Sequence, residues 1–413
     1  MKYDFAKCSF KHSLLRIYAF CILMILLILA VFLFFRTRNH ISGSNNQVST
    51  SPKNTSAQNE FIQQVAVSKL QFAGSGIISF AIATMPQGNP CFVYYDNASG
   101  KLKYSKLLDG EWSVEIVDPK GSPGQILPTL IFPALVFDHD GNAGIAYCKA
   151  EIGFSRSQFS RSLYYSYNME EEWDVQKIYG NGGICAKPDI VITKNGNVYI
   201  SCIYKNSSEK YGDDDFSIII ATKQSNEDKF KITEIILSSR GDASIASIGN
   251  NCAIAYTEGG QLYYGVFNGR QLSKDAVAGV DQNSAIIDFK INQYAQPYII
   301  YSYGREMRIA KKQNGFWMCE TIYIYPVDHQ EMYASLAFTL DGDPAICYVT
   351  EQPGSLVIAL KQSELWKSNV VSDDWGEYIG VSFTINANRS FDVIYGFQGM
   401  EQGTFYVKGN IVE

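Results

Sequence analysis

Four groups of residues in this chain have the types and spacing to do chemistry. Arg156 and Arg161 share the stretch KAEIGFSRSQFSRS, and Tyr211 stands just before Asp213, Asp214 and Asp215. His329 is followed by Tyr333, and Trp375 is flanked by Asp373, Asp374 and Glu377. Aromatic rings beside carboxylates suit carbohydrate, because a ring face stacks on the C–H surface of a sugar while charged groups take its hydroxyls. Arg240 and Arg305 add guanidinium groups that a cluster holding an acidic ligand would need. For each residue the competing reading is a solvated loop charge, or an aromatic side chain packed on its own sheet.

Metal chemistry has less to work with. The run Asp213-Asp214-Asp215 offers oxygens to Ca²⁺, the one ion the sequence could take, but it lacks the alternating D-x-D-x-D-G spacing that closes a calcium loop. Asp138-His139-Asp140-Gly141 resembles half such a loop, yet it falls where a tight turn is expected. Zinc needs three or four ligands together. Only His139 and His329 lie beyond the N-terminal region, and they are predicted at opposite ends of the fold. No other cofactor is expected.

Charge excludes one class of partner. The formal net charge is −6 and no long Lys/Arg run follows the N-terminal region, so the chain lacks the basic footprint of a nucleic-acid binder. Of nine cysteines, Cys8 and Cys21 precede or fall within the apolar segment, which leaves an odd number to pair. Cys91, Cys148, Cys202, Cys252 and Cys347 fall in apolar strand runs, where a thiol acts as a small hydrophobe. Cys185 and Cys319 could bridge only if the fold brings them together.

The elements that must position these residues begin with an anchor. Residues 17–35 (IYAFCILMILLILAVFLFF) form an uncharged apolar run, long enough as a helix to cross a bilayer. It lacks the small-residue cleavage pattern of a signal peptide. Lys2, Lys7, Lys11 and Arg16 precede it, so residues 1–16 are predicted to stay in the cytoplasm and the rest to lie in the periplasm or outside the cell. Residues 36–60, rich in Ser, Asn, Thr and Gln, read as a flexible linker.

From residue 61 to 413 the chain repeats itself. Apolar runs end at Tyr94, Tyr147, Cys202, Tyr256, Tyr301, Tyr348 and Tyr395, spaced 45 to 55 residues apart, close to the period of four-stranded propeller blades. A third strand follows each (LKYS, LYYS, SIIIA, LYYG, MRIA, LVIA, TFYV). A fourth opens on Trp112, Trp173, Phe230, Trp317 or Trp366, and the unit around RQLSKDAV is degenerate there. The last unit ends after three strands, while the segment from Phe61 to Ala66 has the fourth-strand pattern. The expectation is an all-β, seven-bladed β-propeller whose last blade is closed by that N-terminal outer strand, preceded by one transmembrane helix.

The units PCFVYYD (Pro90–Asp96), LKYS (Leu102–Ser105) and GEWSVEIV (Gly110–Val117) resemble the repeat of bacterial BNR, sialidase-like and lectin-like propellers. The resemblance covers residues 61–413 and implies architecture rather than chemistry. A sialidase would bring Asp-box turns, three arginines and a Tyr/Glu pair. Here no Asp box is present, and Arg156, Arg161, Arg240, Arg270, Arg305, Arg308 and Arg389 are all the arginines of the repeat region.

In such blades the tight turns (PQGN, DHDGN, KNGN, LDGD) share one face, and the longer connections leave from the other. Function usually resides on such loops. The sequence therefore predicts a membrane-anchored, non-catalytic binding module for a glycan or an envelope protein. Its binding face would comprise Arg156, Arg161, Tyr211, Asp213, Asp215, Arg240, His329, Tyr333, Asp374, Trp375 and Glu377. The alternative is a carbohydrate-active enzyme, a sialidase-like hydrolase or a polysaccharide lyase, on the same fold.

Overall fold

The computed structural model describes residues 61–70, 79–96, 99–120, 133–152, 159–169, 172–180, 182–205, 216–237, 241–279, 284–326, 332–350, 354–373, 376–399 and 403–412. These lie within one compact unit, Asn59–Glu413. The predicted membrane span, 17–35, lies outside the described residues. Among the described residues no helix is long and apolar enough to cross a membrane.

Every described element is a strand, and the strands form antiparallel four-strand meanders. One comprises β2 (Phe80–Thr84), β3 (Pro90–Asp96), β4 (Lys101–Leu108) and β5 (Glu111–Asp118). An eight-stranded sheet joins β6 (Ala134–Phe137), β7 (Ala143–Ile152), β8 (Phe159–Met169) and β9 (Glu172–Tyr179) to β10 (Ile184–Ile192), β11 (Val198–Lys205), β12 (Phe216–Lys223) and β13 (Lys231–Leu237). The join is a short parallel contact in which Arg161 stands opposite Ile184.

Three further meanders follow. They are β14 (Ala243–Ile248), β15 (Asn251–Glu258), β16 (Gln261–Phe267) and β17 (Asp275–Gly279); then β18 (Ile286–Ile291), β19 (Pro297–Tyr303), β20 (Glu306–Gln313) and β21 (Phe316–Ile324); then β22 (Ala334–Phe338), β23 (Pro344–Val349), β24 (Leu356–Gln362) and β25 (Leu365–Ser372). The last sheet runs β26 (Gly376–Ile385), β27 (Ser390–Gly399) and β28 (Gly403–Ile411), and its fourth place is taken by β1 (Ile62–Lys69). β1 is antiparallel to β28, with Ile62 opposite Ile411 and Lys69 opposite Phe405. This is the outer-strand pairing expected of the segment after Phe61, and the strand runs past Ala66.

Burial follows strand order. The second strands are buried almost throughout: β11 from Val198 to Tyr204, β15 from Cys252 to Thr257 and β23 along its whole length. A central strand with a neighbouring sheet on each side must be apolar on both faces, so its sequence is a continuous hydrophobic run. The fourth strands β5, β21 and β25 are exposed or half-buried along most of their length because one side meets water, with Val117, Asp118 and Val371 buried near their ends. The repeated tyrosines lie within the second strands inside the core, with Tyr94, Tyr147, Tyr301 and Tyr395 at 1% exposure or less. Cys202 holds the same place with a smaller side chain.

Each hydrophobic cluster is shared by two successive meanders. Cys148 and Leu163 of one meet Ile200 and Ile219 of the next, and Ile300 and Ile309 meet Leu336 and Ile346 in the same way. The series closes where Tyr406 and Ile394 of the last sheet pack with Phe92 and Tyr94 of the first. Third strands carry a register break at matching places, after Leu102, Leu163, Leu262, Met307 and Leu356. Such bulges add local twist, which lets the outer strand rotate away from the inner one.

The first-to-second turns repeat one geometry. Gly88, Gly141, Gly196, Ala295, Gly342 and Arg389 each donate a backbone N–H to the carbonyl three residues earlier, and each has a positive φ of 59–93°. Glycine fills four of the six because the left-handed region costs it nothing. At Asp138-His139-Asp140-Gly141 the Asp138 carboxylate accepts from the Asp140 and Asn142 amides and from Tyr167 Oη at 2.5 Å. Those bonds make it a turn residue.

The cysteines split differently from the sequence reading. Cys185 lies buried with Cys148 and Cys202 in the core of the eight-stranded sheet, and Cys319 is exposed on β21 of another sheet. They are not juxtaposed, and all the described cysteines are free thiols.

Candidate functional site

Alternating strand direction puts the tight first-to-second and third-to-fourth turns at one end of every meander. The second-to-third and inter-sheet connections lie at the other end, which is the candidate site. Side chains at the start of the first strands and the end of the second and fourth strands are the ones presented there.

Two predicted site residues, Arg161 and Tyr333, have described side chains, and both are half-buried. Arg161 was expected on the long loop after β7 but lies within β8, half-buried, where its amide donates to Gly183 O at 3.0 Å. Burial pulls its guanidinium below its ordinary pKa, and the Cys148 thiol beside it opposes the shift. The reason for the correction is strand extension, since β8 begins at Phe159 and carries Arg161 into the seam with β10. Tyr333 is half-buried against the core around Phe383 and Tyr395, and its carbonyl accepts from Val349 N at 3.1 Å.

Glu377 has its backbone in β26 opposite Gln398, and its side chain is not described. Arg156, Tyr211, Asp213, Asp214, Asp215, Arg240, His329, Asp374 and Trp375 lie outside the described residues, as does the calcium expectation resting on the Asp213–Asp215 run. Asp373, next to Asp374, accepts from Ser355 Oγ at 2.7 Å, and Arg305, the other guanidinium singled out in the sequence, donates to Pro326 O at 2.8 Å.

The described part of this end is built around carboxylates that sequence reasoning missed. Asp118, at the end of β5, is 4% exposed. Its Oδ2 accepts from Tyr147 Oη and Lys149 Nζ, both at 2.9 Å, across the gap to the next meander. Tyr164 stacks on Tyr147 with ring centroids 5.5 Å apart, and Lys149 Nζ lies 5.7 Å from the Tyr164 ring. Burial, then the Asp118 charge, pushes the Tyr147 phenol well above its usual pKa. It is therefore a hydrogen-bond donor at neutral pH and no base.

A second group lies at the start of the inner strands. Lys187, held at φ +47° in a bulge of β10, donates to Asp242 Oδ2 at 2.7 Å. The Asp242 amide is in turn bonded to Thr257 Oγ1 at 2.9 Å. One step further in, Asp189 Oδ2 accepts from Ser244 Oγ at 2.6 Å and Ile245 N at 2.9 Å.

The same link recurs between other inner strands. Leu336 N donates to Asp288 Oδ2 at 2.7 Å, Phe383 N to Ser335 Oγ at 3.2 Å and Ile82 N to Ser382 Oγ at 3.1 Å. A short polar side chain on one inner strand thus fastens the backbone of the next. Desolvation raises the Asp189 pKa despite these bonds. Asp189→Ala should lower stability by about 2–4 kcal/mol, because it strips acceptors from a buried amide and a hydroxyl. Asp189→Asn, which keeps one oxygen, should lose less, and urea denaturation separates the two.

Among the described residues no group of three or more His, Cys, Asp or Glu could hold a metal ion. Chemically, these clusters fix the inner strands and hold cations close to this end. Lys187 is half exposed there.

No protein-family model matches the sequence. No curated protein matches it either. Solved structures do: a polysaccharide lyase, an ulvan lyase, is similar with TM-score 0.57 and 11% identity over 81% of this chain and 93% of that one. Virginiamycin B lyase from Staphylococcus aureus is similar with TM-score 0.53 and 11% identity over 84% and 99% of the two chains. A protein of unknown function from Dyadobacter fermentans gives 0.51 and 11% over 85% and 100%. At such identities the likeness shows the fold alone, and the fold is of the β-propeller type.

Proposed function

We propose that the chain is a seven-bladed propeller held outside the cytoplasm by residues 17–35, whose long-connection end binds a glycan or an envelope protein without transforming it. The observation that carries this reading is the engagement of the described carboxylates at that end. Asp118, Asp189, Asp242 and Asp373 all accept hydrogen bonds from this chain's own donors. Carboxylates spent in this way stiffen a platform, and they leave recognition to exposed cations, aromatic rings and the long loops. The blade count is supported by the succession of four-strand meanders and by β1 filling the last outer place.

A carbohydrate-active enzyme is the second reading. It is supported by the polysaccharide lyases among similar structures, one of them with TM-score 0.51. A lyase needs a base beside a uronate and a cation to neutralise its carboxylate, and the long loops carry residues of both kinds.

One experiment addresses both readings. The full chain is screened on a glycan array and by pull-down from envelope extracts, and incubated with uronate-containing polysaccharides while chain length is followed. Binding without shortening, reduced at least tenfold by Trp375→Ala or Asp213→Ala, is the expected result. Shortening of any polysaccharide would replace the first reading with the second. Binding untouched by either substitution would move the site off this end.

A further inference from the structure

The tight-turn end carries an apolar surface that the core does not use. Tyr294, in the β18–β19 turn, is 64% exposed, and Leu340, in the β22–β23 turn, is 56% exposed. Phe316 opens β21 at 76% and Leu365 opens β25 at 70%. All four stand at first-to-second or third-to-fourth turns of two adjacent meanders, so they share one end. The inner pair is contiguous: Gln293 Nε2 donates to Leu340 O at 2.6 Å, and the Tyr294 ring lies over Gly342 so closely that a Cβ there would meet it at 2.6 Å. Leu108 and Met169 add exposed apolar tips at the same end of the first two meanders.

Isolated exposed apolar residues need no explanation, but aromatic and leucine tips gathered at one end mark a contact surface. Turns at such positions are ordinarily polar, as Asn195, Asn268 and Asn388 are in the corresponding turns of other meanders.

The chain enters the sheets at this same end. Phe61 O accepts from Val412 N, and Ile411 N donates to Arg389 O in the β26–β27 tight turn. Arg389 in turn reaches toward Asp341, next to Leu340, at 3.9 Å. Residues 36–60 thus separate the apolar run from a point on the tight-turn end. If the segment is the linker its composition predicts, a chain of that length spans about 25–30 Å, so on the anchor reading this end stays within reach of the bilayer.

We infer that the tight-turn end rests on the lipid bilayer, with Tyr294, Phe316, Leu340 and Leu365 entering the headgroup region and the long-connection end pointing away. The inference rests on reading residues 17–35 as a membrane anchor, and it fixes which end a ligand can approach. Aromatic and leucine side chains suit the interface because their apolar bodies leave water there while neighbouring polar groups stay hydrated.

The test uses the full chain in single-copy nanodiscs of phosphatidylcholine and phosphatidylglycerol containing nitroxide-labelled lipid. An environment-sensitive fluorophore is attached at Leu340→Cys or Leu365→Cys in a background carrying Cys8→Ser, Cys21→Ser and Cys319→Ser, with Lys101→Cys at the long-connection end as the reference. Quenching at 340 and 365 at least fivefold above that at 101 is expected, and it should fall to the reference level when Tyr294→Asp and Phe316→Asp are added. Equal quenching at all three sites, or stronger quenching at 101, would overturn the proposal. So would quenching that needs more than one chain per disc, since a second copy would then cover the surface. Failure of the chain to float with lipid would instead remove the anchor reading itself, a separate outcome.

Discussion

Deletion of residues 61–69 is expected to abolish the cooperative thermal transition of the propeller. The segment supplies the outer strand of the last sheet, and its loss exposes the edge of β28 from Phe405 to Ile411. Phe61 and Ile62 are 3% and 6% exposed and pack with Val407 and Ile411. Burying two such side chains is worth about 3–6 kcal/mol, and the ladder bonds to β28 go with them. A domain of ordinary stability holds only about 5–15 kcal/mol in all. By contrast Val67→Thr, at a position 48% exposed on the same strand, should change stability by less than about 0.5 kcal/mol. Circular dichroism against temperature reads both. A deletion variant melting within a few degrees of the parent would mean that the last sheet does not need its fourth strand.

The second large effect is expected at Asp392. This residue is fully buried on β27, where Oδ2 accepts from Asn386 Nδ2 at 2.6 Å and Oδ1 accepts from Tyr406 Oη. Asp392→Ala leaves Tyr406 Oη and one N–H of Asn386 Nδ2 without an acceptor, at about 1–3 kcal/mol each, while the other N–H keeps Ser390 Oγ at 2.9 Å. Asp392→Asn keeps one acceptor and lets its amide donate to Tyr406 Oη, so it should cost far less.

The pH dependence gives a separate signature. Desolvation raises the Asp392 pKa in spite of its two bonds, so the folded state binds this proton more tightly than the unfolded chain. The stability this supplies is fully present below the unfolded value of about 3.9 and is lost as pH rises through the folded pKa. Unfolding free energies across that window should therefore fall with rising pH more steeply in the parent than in Asp392→Asn. Parallel curves would show that the carboxylate is neutral throughout or not desolvated.

The strand pattern could be read from the residues because the repeat is written in side chains that the core demands. Tyr94 through Tyr395 mark the second strands, and Trp112, Trp173, Trp317 and Trp366 mark the fourth. Arg161 was misplaced for a physical reason: Ser160 and Ser162 flank it with polar residues that look like loop, yet they pair with Glu151 and Lys149 as strand.

The carboxylates beneath the long loops left a fainter trace. Asp189, Ser244, Asp288, Ser335 and Ser382 each precede a large apolar residue on an inner strand. That is a column of short polar side chains visible once the repeat is aligned, but its meaning depends on the neighbouring sheet. Asp118 and Lys149 could not be joined without the fold, because their pairing crosses from one meander to the next.

The strand that closes the last sheet also sets an order of events. β1 is among the first parts of the propeller to be synthesised, and its partner is the last. Ser68 Oγ and Tyr406 O, which meet across that pair, stand 338 positions apart. The meanders between them are local and can form as they emerge, whereas the final pairing must draw together distant ends, the kind of contact that slows folding. Until β28 arrives, β1 is an unpaired strand with apolar residues on one face, open to wrong partners. Of the described strands β28 is the last to be synthesised, so its pairing with β1 must follow the local pairings of the earlier meanders.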